Sequence, residues 1–284
     1  MDIITVSNLI KTYEDITAVN DISFKVKQGQ LFSFLGPNGA GKSTTINILC
    51  TLLAYEQGHI TIDGNDVQTH PNQVRQAIGV VFQESLLDAI LTVRENLYTR
   101  AGLYVASRHQ RNQLVSDVAQ EISLADIMDR PYGELSGGQR RRADIAASLI
   151  HKPKVLFLDE PTTGLDPQTR KNIWQTLKNL QNSRGMTLFL TTHYMEEAAE
   201  SDYIVVIDHG QIAAQGTPSQ LKTQYATDRL VMETATGRQT IPLKQTTDAI
   251  ELLYEKRGHI QSFQVLQGSM DDVFLNITGK DIRA

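Results

Sequence analysis

The residues best suited to chemistry lie in the segment 35–44, which reads Leu-Gly-Pro-Asn-Gly-Ala-Gly-Lys-Ser-Thr. Gly36, Gly41, Lys42 and Ser43 fit the G-x-x-x-x-G-K-[ST] pattern of a phosphate-binding P-loop. The glycines let backbone N–H groups converge on phosphate oxygens, Lys42 reaches the β and γ phosphates, and the Ser43 hydroxyl can ligate Mg²⁺. We therefore expect a nucleotide phosphate site in this segment.

Two adjacent carboxylates and one histidine follow buried strands further along the chain. Apolar residues 155–158 end in Asp159 and Glu160, and residues 187–191 lead to His193. Open parallel sheets place their ligands at the carboxyl ends of strands. In a P-loop protein the first acid can hold magnesium and the second can orient or deprotonate water. Adjacent acids also occur as plain solubilising residues at strand ends, but a catalytic or metal-binding role is favoured in a chain that already has a P-loop. His193 ends a neighbouring strand and can face the same phosphate.

A second anion-binding helix start is indicated by residues 135–139, Leu-Ser-Gly-Gly-Gln. Ser136 is a good N-cap and Gln139 occupies the third helical position, which leaves N–H groups exposed at the helix start. The alternative is an ordinary helix start whose glycines allow close packing, which is the commoner situation for such a segment alone. The three arginines at 140–142 are typical of a solvated face.

An aromatic residue, Tyr13, stands upstream of the P-loop. It could stack on a nucleotide base. Equally, it could be a half-buried aromatic of the strand that precedes it, and spacing alone favours that second interpretation.

The elements that must position these residues alternate between strand and helix. Residues 31–35 predict a buried strand before the P-loop, and residues 44–53 predict a helix after it, whose N-terminus attracts anions. A capping box at residues 92–95 and helical periodicity over 93–103 and 111–122 indicate a mostly helical insertion. Further strands are predicted at residues 3–6, 22–26, 79–82 (ending at Gln83), 203–207 and 211–215, and further helices at 143–150 and 168–180.

The composition narrows the function classes. The 284 residues include 27 basic and 32 acidic side chains, a net charge of −5, so no global basic field invites nucleic acid. Cys50 is the only cysteine, which excludes a disulfide scaffold and suits a reducing cytoplasm. The amino terminus does not read as a signal peptide, and no apolar run approaches the roughly 20 residues of a membrane span. Any membrane role is expected to come from a partner.

The pattern changes after Pro218. Short strands at 230–232 and 240–242, a helix at 247–256, a strand at 259–266 and a helix at 270–277 predict a compact β-rich or ferredoxin-like appendage. It contains no constellation of acids, histidines or glycines that resembles a site. The sequence does not distinguish between two roles for this appendage, a contact or dimerisation module and a cover for one edge of a sheet.

Together these motifs resemble the nucleotide-binding subunit of an ATP-binding cassette (ABC) transporter. The resemblance covers residues 1 to about 220 in six motifs that occur in the family's order. It implies an α/β fold with a RecA-like P-loop core, an antiparallel β subdomain and a helical subdomain at about 84–150, followed by a small α+β unit at 221–284. ATP and Mg²⁺ are the cofactors that it implies.

The resemblance also implies a role for each motif. Tyr13 would stack on adenine, Glu160 would be the general base, and His193 would contact the γ-phosphate. Lys42 and Gln83 would join the catalytic set, and the magnesium ligands would be Ser43, Gln83 and Asp159. The ATP contacts within one chain would be Gly36, Asn38, Gly39, Ala40, Gly41, Lys42, Ser43 and Thr44. ATP held by an opposite, head-to-tail cassette would meet Ser136, Gly137, Gly138 and Gln139, with Asp166 linking the two sites.

A finer resemblance is to the drug- and antibiotic-exporting branch that is similar to daunorubicin-resistance ATPases. It rests on the arginines at 140–142, on Asp-Pro-Gln-Thr-Arg at 166–170 and on the tail at 269–279. In that branch the ATPase serves a separate membrane subunit. The resemblance therefore implies a subunit that energises export of a drug-like or other small molecule, held on the inner face of the cell membrane by its permease.

Two alternative functions belong to other classes of protein. A soluble ABC ATPase acting on ribosomes or DNA would carry two cassettes or a long coiled coil, whereas the sequence has one P-loop. A P-loop kinase or GTPase would leave the segment 135–139 unexplained. We therefore predict that ATP binding closes a dimer of cassettes, that hydrolysis reopens it, and that the helical insertion passes the motion to a membrane partner.

Overall fold

The computed structural model describes residues 1–279 and contains three sheets with helices around them. The strands are β1 (Asp2–Tyr13), β2 (Ile16–Lys27), β3 (Leu31–Leu35), β4 (Gln57–Ile62), β5 (Asn65–Asp66), β6 (Ile78–Val81), β7 (Val155–Asp159), β8 (Thr187–Thr192), β9 (Tyr203–Asp208), β10 (Gln211–Gly216), β11 (Asp228–Thr234), β12 (Gly237–Leu243) and β13 (Ile260–Leu266). The helices are α1 (Lys42–Leu49), α2 (Pro71–Ala77), α3 (Val93–Ala101), α4 (Arg108–Glu121), α5 (Gly137–Leu149), α6 (Pro167–Arg184), α7 (Met195–Ala199), α8 (Pro218–Tyr225), α9 (Asp248–Lys256) and α10 (Met270–Thr278).

The large sheet has the strand order β10-β9-β3-β8-β7-β6 and is parallel except for β10. Its central strands β3 and β8 are buried along their whole length because helices or the second sheet cover both faces. Leu35 pairs with Thr192, and Asp159 pairs with Thr191. The strands that carry the P-loop, the two acids and His193 therefore end at one edge, as the sequence predicted.

The second sheet, in the order β2-β1-β4-β5, begins with a long antiparallel hairpin. The sequence predicted only short strands at 3–6 and 22–26, whereas β1 and β2 each span 12 residues. Register shifts after Val6 and Leu9 break the alternation of apolar and polar residues, so the periodic signal ends before the strand does. Phe24 of this hairpin stacks on Phe32 of the large sheet, with ring centroids 5.6 Å apart.

The helical insertion contains α3, α4 and α5, which share an apolar core with β7 and β8. Thr92 and Glu95 form the predicted capping box at the start of α3. α4 begins three residues earlier than predicted because Ser107 caps it. α5 begins at Gly137 with Ser136 as its N-cap, as the capping pattern of residues 136–139 predicted, and it continues through most of the helix predicted at 143–150.

The chain beyond α8 forms a small sheet, in the order β12-β11-β13, that packs on α9. α10 follows this sheet but buries Met270, Val273 and Phe274 in a cluster with Leu35 and Met195 of the large-sheet side. The boundary predicted at residue 220 stays a prediction, and residues 280–284 of the predicted unit lie outside the described range. Over residues 1–279, no helix combines the length and the apolar character that a bilayer crossing requires.

Candidate functional site

The P-loop connects β3 to α1, and two of its glycines sit where a side chain does not fit. A Cβ atom on Gly36 would lie 2.3 Å from the carbonyl oxygen of Ile207, and one on Gly41 would lie 2.5 Å from that of Ala18. Gly41 also has a φ of +105°, which L side chains rarely adopt. Neighbouring strands thus force glycine at both positions and shape the loop before any ligand enters.

Helix α1 begins at Lys42, two residues before the predicted start, and ends at Leu49 rather than at residue 53. The early end has a local cause, since Thr51 adopts a φ of +62° that a helix cannot continue through. Because α1 starts at Lys42, its first helical residue is the P-loop lysine itself, and the N-terminus of the helix faces the loop.

Lys42 is only 5% exposed. Its Nζ donates hydrogen bonds to the carbonyl oxygens of Gly36, at 2.8 Å, and Pro37, at 3.0 Å. Burial lowers the pKa of Lys42, and the negative charges of Glu160 and Asp159 oppose this shift. The lysine therefore lies in the field of both acids.

The two acids at the end of β7 are aligned by one threonine of β8. Thr191 Oγ1 donates to Asp159 Oδ1 at 2.5 Å and accepts from the Glu160 backbone N–H at 3.0 Å. Thr163 Oγ1 donates to Glu160 Oε2 at 3.1 Å, and His193 Nδ1 lies 3.4 Å from Glu160 Oε1. The sequence reasoning missed both threonines. The parallel register that pairs Thr191 with Asp159 was the signal that could have found the first.

One cleft of about 920 Å³ joins half of the site residues that the sequence selected. Its lining comes from the P-loop, the ends of β6, β7 and β8, the hairpin of the second sheet and the last helix. These residues are Ala18, Pro37, Asn38, Gly39, Gly41, Lys42, Ser43, Thr44, Gln83, Glu160, Thr163, His193 and Phe274. Ala18 and Phe274 were not predicted, because both reach the cleft only through tertiary packing.

Three predicted contacts lie away from this cleft within the described chain. Tyr13 ends β1 with 44% of its surface exposed, and Lys11 Nζ lies 5.0 Å from its ring centroid. Asp166 is the exposed N-cap of α6 and accepts from the Thr169 backbone N–H at 3.0 Å. The segment 135–139 lies along a separate groove beside α6.

The segment 135–139 is both a helix cap and a tight packing site. Gln139 Oε1 accepts from the Ser136 backbone N–H at 3.0 Å, and Ser136 Oγ accepts from the Gln139 N–H at 3.4 Å. A Cβ atom on Gly138 would lie 2.2 Å from Thr169 Cγ2, so the glycine lets α5 approach α6. Close packing accounts for Gly138 within the chain, while Ser136 and Gly137 remain exposed.

The fold and the cleft define a P-loop ATPase. The profile of the ABC transporter family matches residues 19–163. Two similar proteins are the daunorubicin/doxorubicin resistance ATP-binding protein DrrA of Streptomyces peucetius, 36% identical over 97% of this chain and 92% of its own, and the linearmycin resistance ATP-binding protein LnrL of Bacillus subtilis, 35% identical over 97% and 98%. The chain therefore belongs to the ABC transporter family.

Solved structures of ABC proteins are similar to this chain. The cbiO1 protein of Clostridium perfringens, part of an ABC transporter complex, has a TM-score of 0.73 and 30% identity over 78% of this chain and 90% of its own. A dimeric ATP-binding cassette bound to ADP and phosphate has a TM-score of 0.69 and 28% identity over 76% and 98%. The predicted cassette fold and the predicted class, an ATP-hydrolysing subunit of an ABC transporter, are thus confirmed.

Proposed function

We propose that the chain energises export of a drug-like or other small molecule through a separate membrane permease. The observation that carries this proposal is one cleft in which the P-loop, Gln83, Glu160 and His193 meet. Such a cleft supplies what phosphoryl transfer to water requires, namely positioning, charge neutralisation and a base. Resistance to daunorubicin, doxorubicin and linearmycin, named for the relatives, favours a cargo of that kind.

The P-loop is proposed to hold the ATP phosphates through its backbone N–H groups and Lys42. The lysine ammonium is engaged by two neutral carbonyl oxygens, and a charged phosphate is the stronger acceptor. We therefore expect Lys42 to exchange at least one of these bonds for a phosphate oxygen. The proposed contacts are Gly36, Asn38, Gly39, Ala40, Gly41, Lys42, Ser43 and Thr44.

Ser43, Gln83 and Asp159 are proposed to hold Mg²⁺. Their hydroxyl, amide and carboxylate oxygens are the hard donors that Mg²⁺ prefers. Ser43 and Gln83 line the same cleft, and the bond from Thr191 fixes the Asp159 carboxylate at the end of β7. When bound, the ion would neutralise charge on the phosphate oxygens.

Glu160 is proposed as the general base and His193 as the residue that contacts the γ-phosphate. Thr163 engages one oxygen of the Glu160 carboxylate, while the other faces His193 at 3.4 Å. That second oxygen can therefore take a proton from a water molecule beside the histidine. The Thr191 bond to the Glu160 backbone keeps this geometry in register with Asp159.

A second cassette in head-to-tail arrangement is proposed to complete the site. Ser136 and Gly137 are exposed and lie outside their own chain's cleft, so they are free to meet ATP held by another chain, together with Gly138 and Gln139. Asp166, exposed at the start of α6, would link the two sites. Tyr13 is proposed to stack on adenine with its exposed ring. The dimeric cassettes among the similar structures support this arrangement.

The permease contact is proposed to lie on the helical insertion. Leu86, Ile90 and Leu103 are each at least 72% exposed there, a set of apolar side chains that a partner would cover. The chain would then sit peripherally on the cytoplasmic face of the membrane. Nucleic acid is not an expected partner, given the net charge of −5.

The proposed hydrolytic roles are tested with Glu160→Gln. The amide keeps the shape of the side chain but cannot accept the proton, so ATP binding should persist while the hydrolysis rate falls by at least about 100-fold. Size-exclusion chromatography with Mg-ATP should show an accumulated dimer. The matched control is Glu200→Gln, which removes an exposed carboxylate that pairs with Lys178 outside the cleft and should leave the rate unchanged. Hydrolysis by Glu160→Gln at the parent rate would refute the assignment of the base.

The transport role is tested by capturing the tagged full chain from detergent-solubilised native membranes in Mg-ATP. Mass spectrometry should identify a polytopic membrane protein among the captured partners. Recovery of ribosomal or nucleic-acid-binding proteins without such a partner would refute the permease proposal and support a soluble ABC ATPase instead.

A further inference from the structure

Helix α5 holds the segment around Gln83 at two points. The segment 82–85, called here the Gln83 loop, leaves the large sheet at the end of β6. Arg141 Nη1 donates to the carbonyl oxygen of Phe82 at 2.6 Å, and Ser85 Oγ donates to Asp144 Oδ1 at 2.5 Å. Arg141 and Asp144 are three residues apart, so they share one face of α5. The two hydrogen bonds therefore fix the loop to α5 on both sides of Gln83.

The Asp144 contact also reaches the turn that precedes α5. Tyr132 OH donates to the same atom, Asp144 Oδ1, at 3.0 Å. Burial raises the pKa of Asp144, while its bonds with Ser85 and Tyr132 and the nearby charges of Arg141 and Arg140 oppose the shift. One carboxylate oxygen thus joins the Gln83 loop to the turn just before the segment 135–139. Removing it would leave both hydroxyl groups without this acceptor.

Arg141 extends the connection to the loop that carries the general base. The side chain is 8% exposed, and its Nη2 lies 3.4 Å from the carbonyl oxygen of Glu160. Arg141 therefore contacts the backbone at the ends of two adjacent strands, β6 and β7. Since β6 leads into Gln83 and β7 into Glu160, one guanidinium sets the spacing between the two segments.

We propose that Arg141 and Asp144 are positioning residues that fasten the Gln83 loop to α5 and so hold Gln83 where hydrolysis needs it. They act through the loop and do not touch ATP. Because Ser136 caps the same helix, a displacement of Gln83 also shifts the segment 135–139 that faces the opposite cassette. This inference rests on the proposed role of Gln83 and specifies how that role is maintained.

The test compares Asp144→Ala, Asp144→Asn, Gln83→Ala and the double variant with both alanines, each as the full chain. Asp144→Ala should lower kcat about tenfold through a displaced Gln83, since small misplacements of a catalytic group are costly. ATP affinity should stay at the parent value because the P-loop is unchanged. Asp144→Asn keeps Oδ1 as an acceptor for both hydroxyls and should restore kcat to within about twofold.

Non-additivity separates positioning from general stabilisation. If Asp144 acts only through Gln83, the double variant should be no slower than Gln83→Ala alone. Multiplying effects, or a parental kcat in Asp144→Ala while Gln83→Ala is impaired, would overturn the positioning proposal alone. A rate that Gln83→Ala leaves unchanged would overturn the role of Gln83 and this proposal together.

Two further variants keep the test decisive if Asp144→Ala folds poorly, as judged by thermal unfolding. Ser85→Ala removes the loop side of the contact without disturbing the carboxylate, and it should lower kcat by a similar factor. A parental rate in Ser85→Ala would contradict the proposal. Asp126→Ala is the control, because Asp126 contacts α5 through Arg142, at 3.4 Å, and not through the Gln83 loop. Its kcat should equal that of the parent.

Discussion

Gly138→Ala isolates the packing role of the segment 135–139 from its proposed role toward ATP. The added methyl group would lie 2.2 Å from Thr169 Cγ2, whereas its next neighbours, Thr169 Cβ and Oγ1, lie at 3.5 Å. Favourable carbon–carbon contacts occur at about 3.5–4.0 Å, so one methyl group must move by more than about 1 Å. Thr169 has few alternative rotamers because it is β-branched. The strain therefore falls on the approach of α5 to α6.

The expected cost follows from two opposing effects. Overpacking of this kind destabilises by about 1–3 kcal/mol. Replacing a helical glycine with alanine returns up to about 1 kcal/mol, and less in the first turn of a helix. We therefore expect Gly138→Ala to lower the free energy of unfolding by about 1–2 kcal/mol.

Thr169→Ser provides the matched compensating change because it deletes only the overlapping methyl group. The double variant should recover to within about 0.5 kcal/mol of Thr169→Ser alone in urea unfolding followed by circular dichroism. ATP hydrolysis is measured on the same proteins. Recovery of stability without recovery of hydrolysis would indicate a separate need for glycine toward the opposite ATP. Full stability of Gly138→Ala, or a double variant as unstable as that single variant, would refute the steric reasoning.

Three other perturbations follow from the structure. Ser136→Arg should leave ATP binding by the isolated chain intact yet abolish turnover, since Ser136 lies outside its own cleft; loss of binding by the monomer would contradict the two-chain site. Phe274→Ala should cost about 3–5 kcal/mol of unfolding free energy, because a fully buried ring is removed between α10 and the large-sheet side; a smaller loss with unchanged proteolysis of α10 would count against that packing. Asp144→Asn should raise the melting temperature at neutral pH, because burial raises the pKa of Asp144 and the folded state disfavours its ionised form. The difference should shrink as the pH falls through this raised pKa toward the ordinary carboxyl range, and a difference that grows in acid would contradict the sign.

Much of the fold was accessible from the sequence because its signals are local. Apolar runs located β3, β7 and β8, and the capping boxes at Thr92 and Ser136 set two helix starts. The lengths of β1 and β2 were underestimated because register shifts interrupt the alternation of apolar and polar residues along them. The end of α1 was misplaced because the positive φ of Thr51 has no clear signature in residue type.

The residues of the candidate site likewise fall into those that local motifs indicate and those that only tertiary packing brings in. P-loop spacing and the order of the motifs selected Lys42, Gln83, Glu160 and His193, and the structure brings these four into one cleft. Thr191 escaped notice because its role depends on which strand lies beside β7. That neighbour is separated from it by a whole helix in sequence, and periodicity carries no information about such pairings.

Residue types and their spacing specify the chemistry that each segment can offer: a phosphate-binding turn, two carboxylates after a buried strand, and a capped helix start with exposed N–H groups. Which of these segments come together depends on the packing of the whole chain. This packing placed the segment 135–139 away from its own P-loop cleft, bound the Gln83 loop to Arg141 and Asp144, and returned α10 to the core beside Leu35. The physical reason is that backbone geometry and capping depend on neighbours within a few residues. Strand order, helix contacts and the burial of Asp144 instead depend on residues far apart in the sequence, which only the packed chain brings together.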